Sequence, residues 1–282
     1  MDDHVPAACD DVHWFSSFDG MAIAYEVLRA RRPRNGLAPG PETKDRRRGA
    51  GRDGTPVVLH HGFGSDMITN WSRPGVAARL LGAGLPVVLV DARGHGRSAK
   101  PHDPEAYAAP ALTDDLGRLL DVVGAERVDL VGYSMGALVA IDLALRDDRV
   151  SRLVLAGVGI SQVIGSSDHE HLEIAAGLEA RDTRSVTSRT ALAFRSFAEA
   201  VGADRLALAA LQRAWPFSAV TGLLGRLHIP TLVLNGAEDT VAGEPQGLAR
   251  AIPGAMCRQV PGNHMSAVTK AEFSGALVDF FA

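Results

Sequence analysis

The chain has 282 residues, of which 46% are hydrophobic, 22% charged and 5% aromatic. This composition is typical of a globular protein with a large core, and it excludes collagen-like and wholly disordered chains. The formal net charge of -4 gives no electrostatic reason to expect a nucleic-acid or membrane partner. The two cysteines, Cys9 and Cys257, exclude a disulfide framework and, without ligands at suitable spacing, argue against a zinc site.

The beginning of the chain has neither the basic start nor the apolar run of a signal peptide. No stretch approaches the roughly 18 consecutive apolar residues of a membrane span. We therefore expect a cytoplasmic protein.

Two apolar segments, Val12–Phe18 and Met21–Leu28, flank Asp19 and Gly20, a pair typical of a β-hairpin turn. The composition then changes abruptly, because residues 29–54 hold nine basic and three acidic residues and almost nothing suited to a core. We interpret this segment as a long, solvated and flexible loop. The alternative interpretation is a basic arm for an acidic partner.

From residue 56 onward, short apolar runs that are typical of strands buried on both faces alternate with helical patterns. The predicted strands are Val57–Leu59, Pro86–Val90, Val128–Val131, Arg152–Ala156, Thr231–Leu234 and Met256–Val260. The predicted helices are Gly75–Leu81, Leu112–Val123, Met135–Leu145, Pro245–Ala251 and Ala271–Phe281. This alternation predicts an α/β protein with a mostly parallel central sheet and helices on both faces.

The alternation breaks once, between Ala156 and Thr231, where three helical stretches replace the expected strand. These stretches are Ser167–Ala180, Arg184–Val201 and Ala203–Trp215. We predict a small helical cap inserted after the sixth strand, over the strand ends where ligands bind in such sheets. The predicted division is a core of residues 1–159 and 217–282 and a cap of residues 160–216.

The sequence Gly132-Tyr133-Ser134-Met135-Gly136 lies between a buried-strand run and a helical pattern. A Gly-x-Ser-x-Gly pattern is a weak signal alone, but in this setting the serine lies on a tight strand-to-helix turn. Side chains two residues to either side would collide, so both positions need glycine. The helix N-terminus favours the negative charge that develops during attack. We predict Ser134 as a nucleophile.

A serine nucleophile needs a base, and the base needs an acid to orient it. One histidine, His264, lies in the loop after the last predicted strand, and Asp239 lies in the loop after the preceding one. In a parallel sheet both loops emerge at the same edge as the serine turn. The chain order Ser134, Asp239, His264 is the order expected of this architecture. Glu238 stays open as the acid, although the spacing from Gly236 favours Asp239.

The oxyanion formed during attack needs two preorganised N–H donors. One is the backbone N–H of Met135, directly after the nucleophile. For the other we predict the backbone N–H of Phe63, which lies in the loop after the first parallel strand with glycine on each side. We expect His61 to brace this loop by hydrogen bonds rather than to take part in the chemistry.

From about Val12 to the C-terminus, the chain resembles the α/β-hydrolase superfamily. Residues 61–64 match its oxyanion loop, residues 91–98 its turn after the next strand, and residues 132–136 its nucleophile elbow. The resemblance implies the α/β-hydrolase fold, a largely structural role for the segment 91–98 that contains His95, and a Ser-His-Asp triad. Within this superfamily, the chain most resembles the small capped serine hydrolases, which include carboxylesterases, lactonases and perhydrolases.

Epoxide hydrolases and haloalkane dehalogenases of this fold use an aspartate nucleophile, so Ser134 argues against both. We predict hydrolysis of a small carboxylic ester or lactone through an acyl-enzyme, with no metal or organic cofactor. The alternatives are a C–C bond or amide hydrolase on the same triad, and a hydrolase-like receptor with little turnover. The predicted partner is a small-molecule substrate, with no nucleic acid and no membrane. The oligomeric state is left open.

Overall fold

The computed structural model describes residues 12–29, 54–164, 168–215, 217 and 221–282. The prediction for the basic segment falls almost wholly outside these residues, as does Cys9. The described strands are β1 (Val12–Ser16), β2 (Ala22–Leu28), β3 (Val57–His60), β4 (Val87–Val90), β5 (Val128–Tyr133), β6 (Val150–Ala156), β7 (Thr231–Gly236) and β8 (Met256–Val260).

These strands form a sheet of order β1-β2-β4-β3-β5-β6-β7-β8. β1 and β2 are antiparallel, as the turn at Asp19 and Gly20 predicts, and β2 is also antiparallel to β4. The five remaining pairings are parallel. The predicted mostly parallel sheet is therefore confirmed. The hairpin extends one edge of this sheet through β4.

Both faces of the sheet are covered by apolar side chains. Val58 on β3 belongs to one core cluster, while its neighbours Val57 and Leu59 belong to a second cluster. Successive side chains of a strand point to opposite faces, so the two clusters lie on the two faces of the sheet. This explains why β3 is apolar without alternation, and it confirms the predicted helices on both faces.

The helices outside the cap region lie within a residue or two of their predicted bounds. They are α1 (Val76–Gly82), α2 (Ala111–Val122), α3 (Met135–Ala144), α8 (Pro245–Ala251) and α9 (Ala271–Phe281). A short helix, α4 (Ile160–Ile164), was not predicted, because five residues are too few to show a helical period. A π-helical turn at Ile68–Ser72 was not predicted either.

Between β6 and β7 the chain forms α5 (Asp168–Glu179), α6 (Arg189–Val201) and α7 (Arg205–Ala214). α6 begins five residues later than predicted, because the Ser188 hydroxyl accepts from the Ala191 N–H and caps the helix there. A separate short turn, Thr183–Ser185, precedes it. The division of the chain into a core and a cap domain stays a prediction. Among the described helices, none is long and apolar enough to cross a membrane.

The turn after β4 is held by a buried arginine. The Arg93 guanidinium donates to both oxygens of Asp115 on α2, at 2.6 and 2.7 Å, and to Asp19 in the hairpin turn at 2.7 Å. Burial alone would lower the pKa of Arg93, but its hydrogen bonds to Asp115 and Asp19 raise it. Arg93 thus stays charged and joins three separate parts of the chain, which supports a structural role for the segment 91–98.

Candidate active site

Ser134 lies at the sharp turn between β5 and α3. Its backbone angles are φ 52° and ψ -115°, and among the described residues it is the one non-glycine whose φ lies in the region that favours glycine. A Cβ at Gly132 would lie 2.2 Å from the Gly136 carbonyl oxygen, and a Cβ at Gly136 would lie 2.4 Å from that of His60. The predicted need for glycine at both positions is therefore confirmed. The turn presents the serine at the end of the sheet, at the N-terminus of α3.

His264 lies between Ser134 and Asp239. Its Nδ1 is 2.9 Å from Asp239 Oδ2, and its Nε2 is 3.2 Å from Ser134 Oγ. A carboxylate only accepts hydrogen bonds, so Nδ1 carries the proton and Nε2 is free to accept from the serine hydroxyl. The structure thus brings the three predicted triad residues into one chain of hydrogen bonds, with the geometry that a nucleophile and its base require.

The Asp239 carboxylate is buried and hydrogen-bonded to the backbone of its own loop. Its side chain is fully buried, and its Oδ1 accepts from the backbone N–H groups of Val241 and Ala242 at 3.0 and 2.9 Å. The neighbouring Glu238 is exposed. Of the two carboxylates that the sequence left open, the structure pairs Asp239 with His264.

A tyrosine that the sequence analysis missed supports the histidine loop. The Tyr133 hydroxyl donates to the His264 carbonyl oxygen at 2.6 Å, although 131 residues separate them in the chain. Burial raises the pKa of Tyr133, so its hydroxyl remains a donor. Gly157 leaves room for both rings, because a Cβ there would lie 2.9 Å from Tyr133 and 3.3 Å from His264.

The predicted oxyanion loop passes directly beside the serine. A Cβ at Gly62 would lie 3.3 Å from the Ser134 Cβ. The Gly62 carbonyl oxygen accepts from His61 Nδ1 at 2.8 Å and from the Ser65 N–H at 3.2 Å. In a trans peptide the C=O and the following N–H point in opposite directions. Holding the Gly62 carbonyl therefore also sets the direction of the Phe63 N–H.

Two buried histidines fix this loop with matching tautomers. His61 Nε2 accepts from the Ala92 N–H at 3.0 Å, and His95 Nε2 accepts from the Gly64 N–H at 3.0 Å. Each Nε2 is thus unprotonated, and each Nδ1 donates to a carbonyl oxygen, that of Gly62 or of Arg93. The bracing role predicted for His61 agrees with this geometry, and His95 adds a second brace from the turn after β4.

Asn70 binds the N–H group of Gly62, whose carbonyl oxygen is held by His61 and Ser65. Its Oδ1 accepts from the Gly62 N–H at 3.1 Å. No signal in the sequence marks this residue, because it lies in the unpredicted π-helical turn. Its contact with the loop follows from the tertiary fold rather than from any local pattern.

Aromatic side chains of the segment between β6 and β7, which contains α5 to α7 and is called the helical insert below, contact the oxyanion loop. The Phe63 ring meets Phe194 on α6 at 5.4 Å between centroids, and it meets Trp215, after α7, at 6.4 Å, both edge to face. Trp215 in turn contacts Phe217 at 5.1 Å and stacks on His171 of α5 at 4.2 Å. Phe63 is therefore buried between the oxyanion loop and the helical insert.

The buried histidines give the fold a dependence on pH. Burial and the nearby His61 lower the pKa of His60 to about 3, and burial holds that of His95 well below its ordinary value. Unfolding restores a pKa near 6.5, so the unfolded chain binds more protons as the pH falls below that value. We expect His60 alone to remove about 1.4 kcal/mol of unfolding free energy per pH unit from about pH 6.5 downward, until its folded form protonates near pH 3.

Urea unfolding at pH 7 and pH 5 tests this expectation in wild type and His60→Gln. The variant should lose about 2 kcal/mol less between the two values, because glutamine does not titrate. Comparing each protein with itself cancels any pH-independent cost of the substitution. His13→Gln, on the exposed face of β1, is the matched control and should keep the wild-type dependence. An equal loss in wild type and His60→Gln would contradict the assignment.

Among the described residues, no group of three or more histidine, cysteine or carboxylate side chains is close enough to hold a metal ion.

Residues 55–217 match the model of the alpha/beta hydrolase fold family. The chain belongs to this family. It is similar to epoxide hydrolase A of Mycobacterium tuberculosis, with 43% identity over 111 residues, which are 39% of this chain and 34% of the relative. It is also similar to the 2-hydroxy-6-oxo-2,4-heptadienoate hydrolase of Pseudomonas putida, with 38% identity over 127 residues, 44% of each chain. The matched regions span less than half of these curated relatives.

Solved structures match over nearly the whole chain. A hydrolase from Pseudomonas aeruginosa has a TM-score of 0.73 at 26% identity, and the match covers 98% of this chain and 100% of that one. The enol-lactonase of Burkholderia xenovorans has a TM-score of 0.73 at 23% identity, covering 95% and 99%. These likenesses confirm the predicted fold class.

Proposed function

We propose that this chain is a serine hydrolase that cleaves a small carboxylic ester or lactone. The observation that carries the proposal is the chain of hydrogen bonds from Asp239 through His264 to Ser134, on a strained turn at a helix N-terminus. A neutral imidazole that accepts from a serine hydroxyl while a buried carboxylate orients it is the arrangement that activates serine for attack on a carbonyl carbon.

In the proposed mechanism Ser134 Oγ attacks the substrate carbonyl while His264 Nε2 takes the hydroxyl proton. The charge of Asp239 stabilises the imidazolium that results. The tetrahedral oxyanion accepts from the backbone N–H groups of Phe63 and Met135. His264 then returns the proton to the leaving alcohol, which leaves an acyl group on Ser134. His264 next deprotonates a water, which attacks the acyl carbon, and the same proton passes to Ser134 Oγ as the acyl–oxygen bond breaks and the acid leaves.

The fixed loop geometry supports the oxyanion assignment. His61, Ser65 and Asn70 hold the Gly62 peptide groups on both sides, so the Phe63 N–H requires no reorganisation as charge develops. The ester or lactone preference is supported by the serine at position 134, since epoxide hydrolases of this fold use an aspartate. The similarity to a heptadienoate hydrolase favours C–C bond cleavage as the second candidate on the same triad.

Intact-protein mass after treatment with a small fluorophosphonate tests the proposal. Wild type should gain one phosphonyl group and Ser134→Ala none, because the reagent reacts with an activated serine. Ser274→Ala, on the surface helix α9, is the control and should label as wild type does. An unlabelled wild type would contradict the proposal and favour a receptor with little turnover. If wild type is labelled, its hydrolysis of esters and lactones of graded acyl length is measured next. A diketone with a dienoate chain is included to detect C–C bond cleavage.

A further inference from the structure

A cavity lies away from the candidate triad, at the boundary between the sheet and the helical insert. Its volume is about 270 Å³, enough for a small metabolite. Its walls come from three segments: residues 65–73 after the oxyanion loop, residues 91–100 after β4, and residues 200–203 at the end of α6. None of the three candidate triad residues lines it.

The cationic groups of this cavity have unused hydrogen-bond donors. Arg73 is exposed, and within the described part of the chain its guanidinium has no ion pair and no hydrogen bond. Arg97 has one long contact, 3.4 Å to Glu26. The Lys100 ammonium donates to the carbonyl oxygens of Gly96 and Ser98, which leaves one of its three protons.

The hydroxyl of Ser65 is a further unused group. Ser65 is 7% exposed and lines the cavity, and no other described residue hydrogen-bonds its Oγ. This hydroxyl therefore has no protein partner, and at the cavity wall its O–H can donate to an acceptor atom of a ligand.

The side-chain carboxylates in the walls, in contrast, already accept hydrogen bonds. Asp91 accepts from the N–H groups of Met67 and Arg97, and Asp66 accepts from the N–H and hydroxyl of Thr69. The cavity walls therefore carry three cationic side chains against two carboxylates that are already hydrogen-bonded, which suits a ligand with an anionic acceptor group.

We propose that this cavity binds a small molecule with an oxyanion head group, a carboxylate or a phosphate. Arg73, Arg97 and Lys100 supply the charge, and the Ser65 hydroxyl supplies a directed hydrogen bond. The ligand joins the segment after the oxyanion loop to the end of α6. Phe197, one turn earlier on α6, already meets Gly64, since a Cβ there would lie 3.4 Å from its ring. Occupation of the cavity thus holds the insert against the oxyanion loop.

Isothermal titration calorimetry at low salt tests the site without any need for turnover. The probes are inorganic phosphate and glutarate, titrated separately into the full chain. Wild type should bind at least one of them saturably, and Arg73→Gln should bind about tenfold or more weakly, because one charge-assisted contact is lost. Ser65→Ala should weaken binding severalfold. Arg79→Gln is the matched control: Arg79 is an exposed arginine on α1 outside the cavity, so this variant should bind like wild type.

No saturable binding of either probe to wild type, or an equal loss in Arg73→Gln and Arg79→Gln, would overturn the proposal. A second arm distinguishes the two sources of the head group and rests on the proposed esterase activity. If the head group belongs to the substrate, Arg73→Gln raises KM for mono-4-nitrophenyl glutarate but not for 4-nitrophenyl acetate. If it belongs to a separate effector, Arg73→Gln changes KM for neither ester, and its weaker probe binding remains.

Discussion

Replacing Asp239 with asparagine is expected to lower kcat/KM for an activated ester by about 10⁴-fold while the fold is retained. Asp239 makes one hydrogen bond to His264 Nδ1 and two to backbone N–H groups. An asparagine amide turned toward the imidazole would present N–H to Nδ1 and so stabilise the wrong tautomer, in which Nε2 carries the proton. His264 would then be unable to accept the proton of Ser134. Initial-rate kinetics with 4-nitrophenyl acetate, together with a thermal unfolding curve, measure both effects.

Glu238→Gln is the matched control, because this carboxylate is adjacent in sequence but exposed. It should leave kcat/KM within about twofold of wild type, as a surface substitution without a buried partner does. A loss in Glu238→Gln comparable to that in Asp239→Asn would mean that the loop after β7 rearranges during turnover. Near-wild-type activity in Asp239→Asn would contradict the proposed triad.

The candidate triad positions could be proposed from the sequence because each depends on a local rule. Ser134 lies on a strand-to-helix turn with glycine on both sides, and the other two residues follow the last two parallel strands. These rules identify the loops but not the side chain within a loop. Asp239 and Glu238 are one residue apart, and only the backbone path decides which of them faces His264. The hydrogen bonds to Val241 and Ala242 determine that path.

The residues that support the site were harder to predict, because their contacts are distant in the sequence. Tyr133 reaches the His264 loop across 131 residues, and Asn70 reaches Gly62 from a turn with no recognisable pattern. His61 was predicted as a brace because of its position in the loop. Its acceptor contact with the Ala92 N–H, however, depends on how β3 and β4 pair.

The same distinction holds for the fold. Runs of valine and leucine predicted the parallel strands closely, since burial on both faces leaves a plain signature in the sequence. The pairing of β2 with β4 was not predicted, because strand order depends on contacts between separate segments. The late start of α6 arises from competition between helix propensity and the Ser188 cap, which a periodicity argument does not weigh.

Gly136→Ala is expected to destabilise the protein by about 3 kcal/mol, the upper end of the range for an added methyl group in a tightly packed core. The new Cβ would lie 2.4 Å from the His60 carbonyl oxygen and 2.6 Å from that of His61. Both contacts are with backbone, so no side chain can rotate away, and α3 must move from the end of β3. Because that movement separates Ser134 from the oxyanion loop, we also expect esterase activity to fall in the protein that remains folded.

Gly275→Ala is the matched control, because Gly275 is also helical and nothing lies within 4 Å of a Cβ placed there. Alanine in the middle of α9 should stabilise the chain by about 0.5–1 kcal/mol through its higher helix propensity. Urea unfolding of the two variants thus separates a steric cost from a propensity gain of opposite sign. A Gly136→Ala protein as stable as wild type would mean that α3 and β3 can separate without cost. The requirement for glycine at position 136 would then have a cause other than the close approach of residues 132–136 to the oxyanion loop.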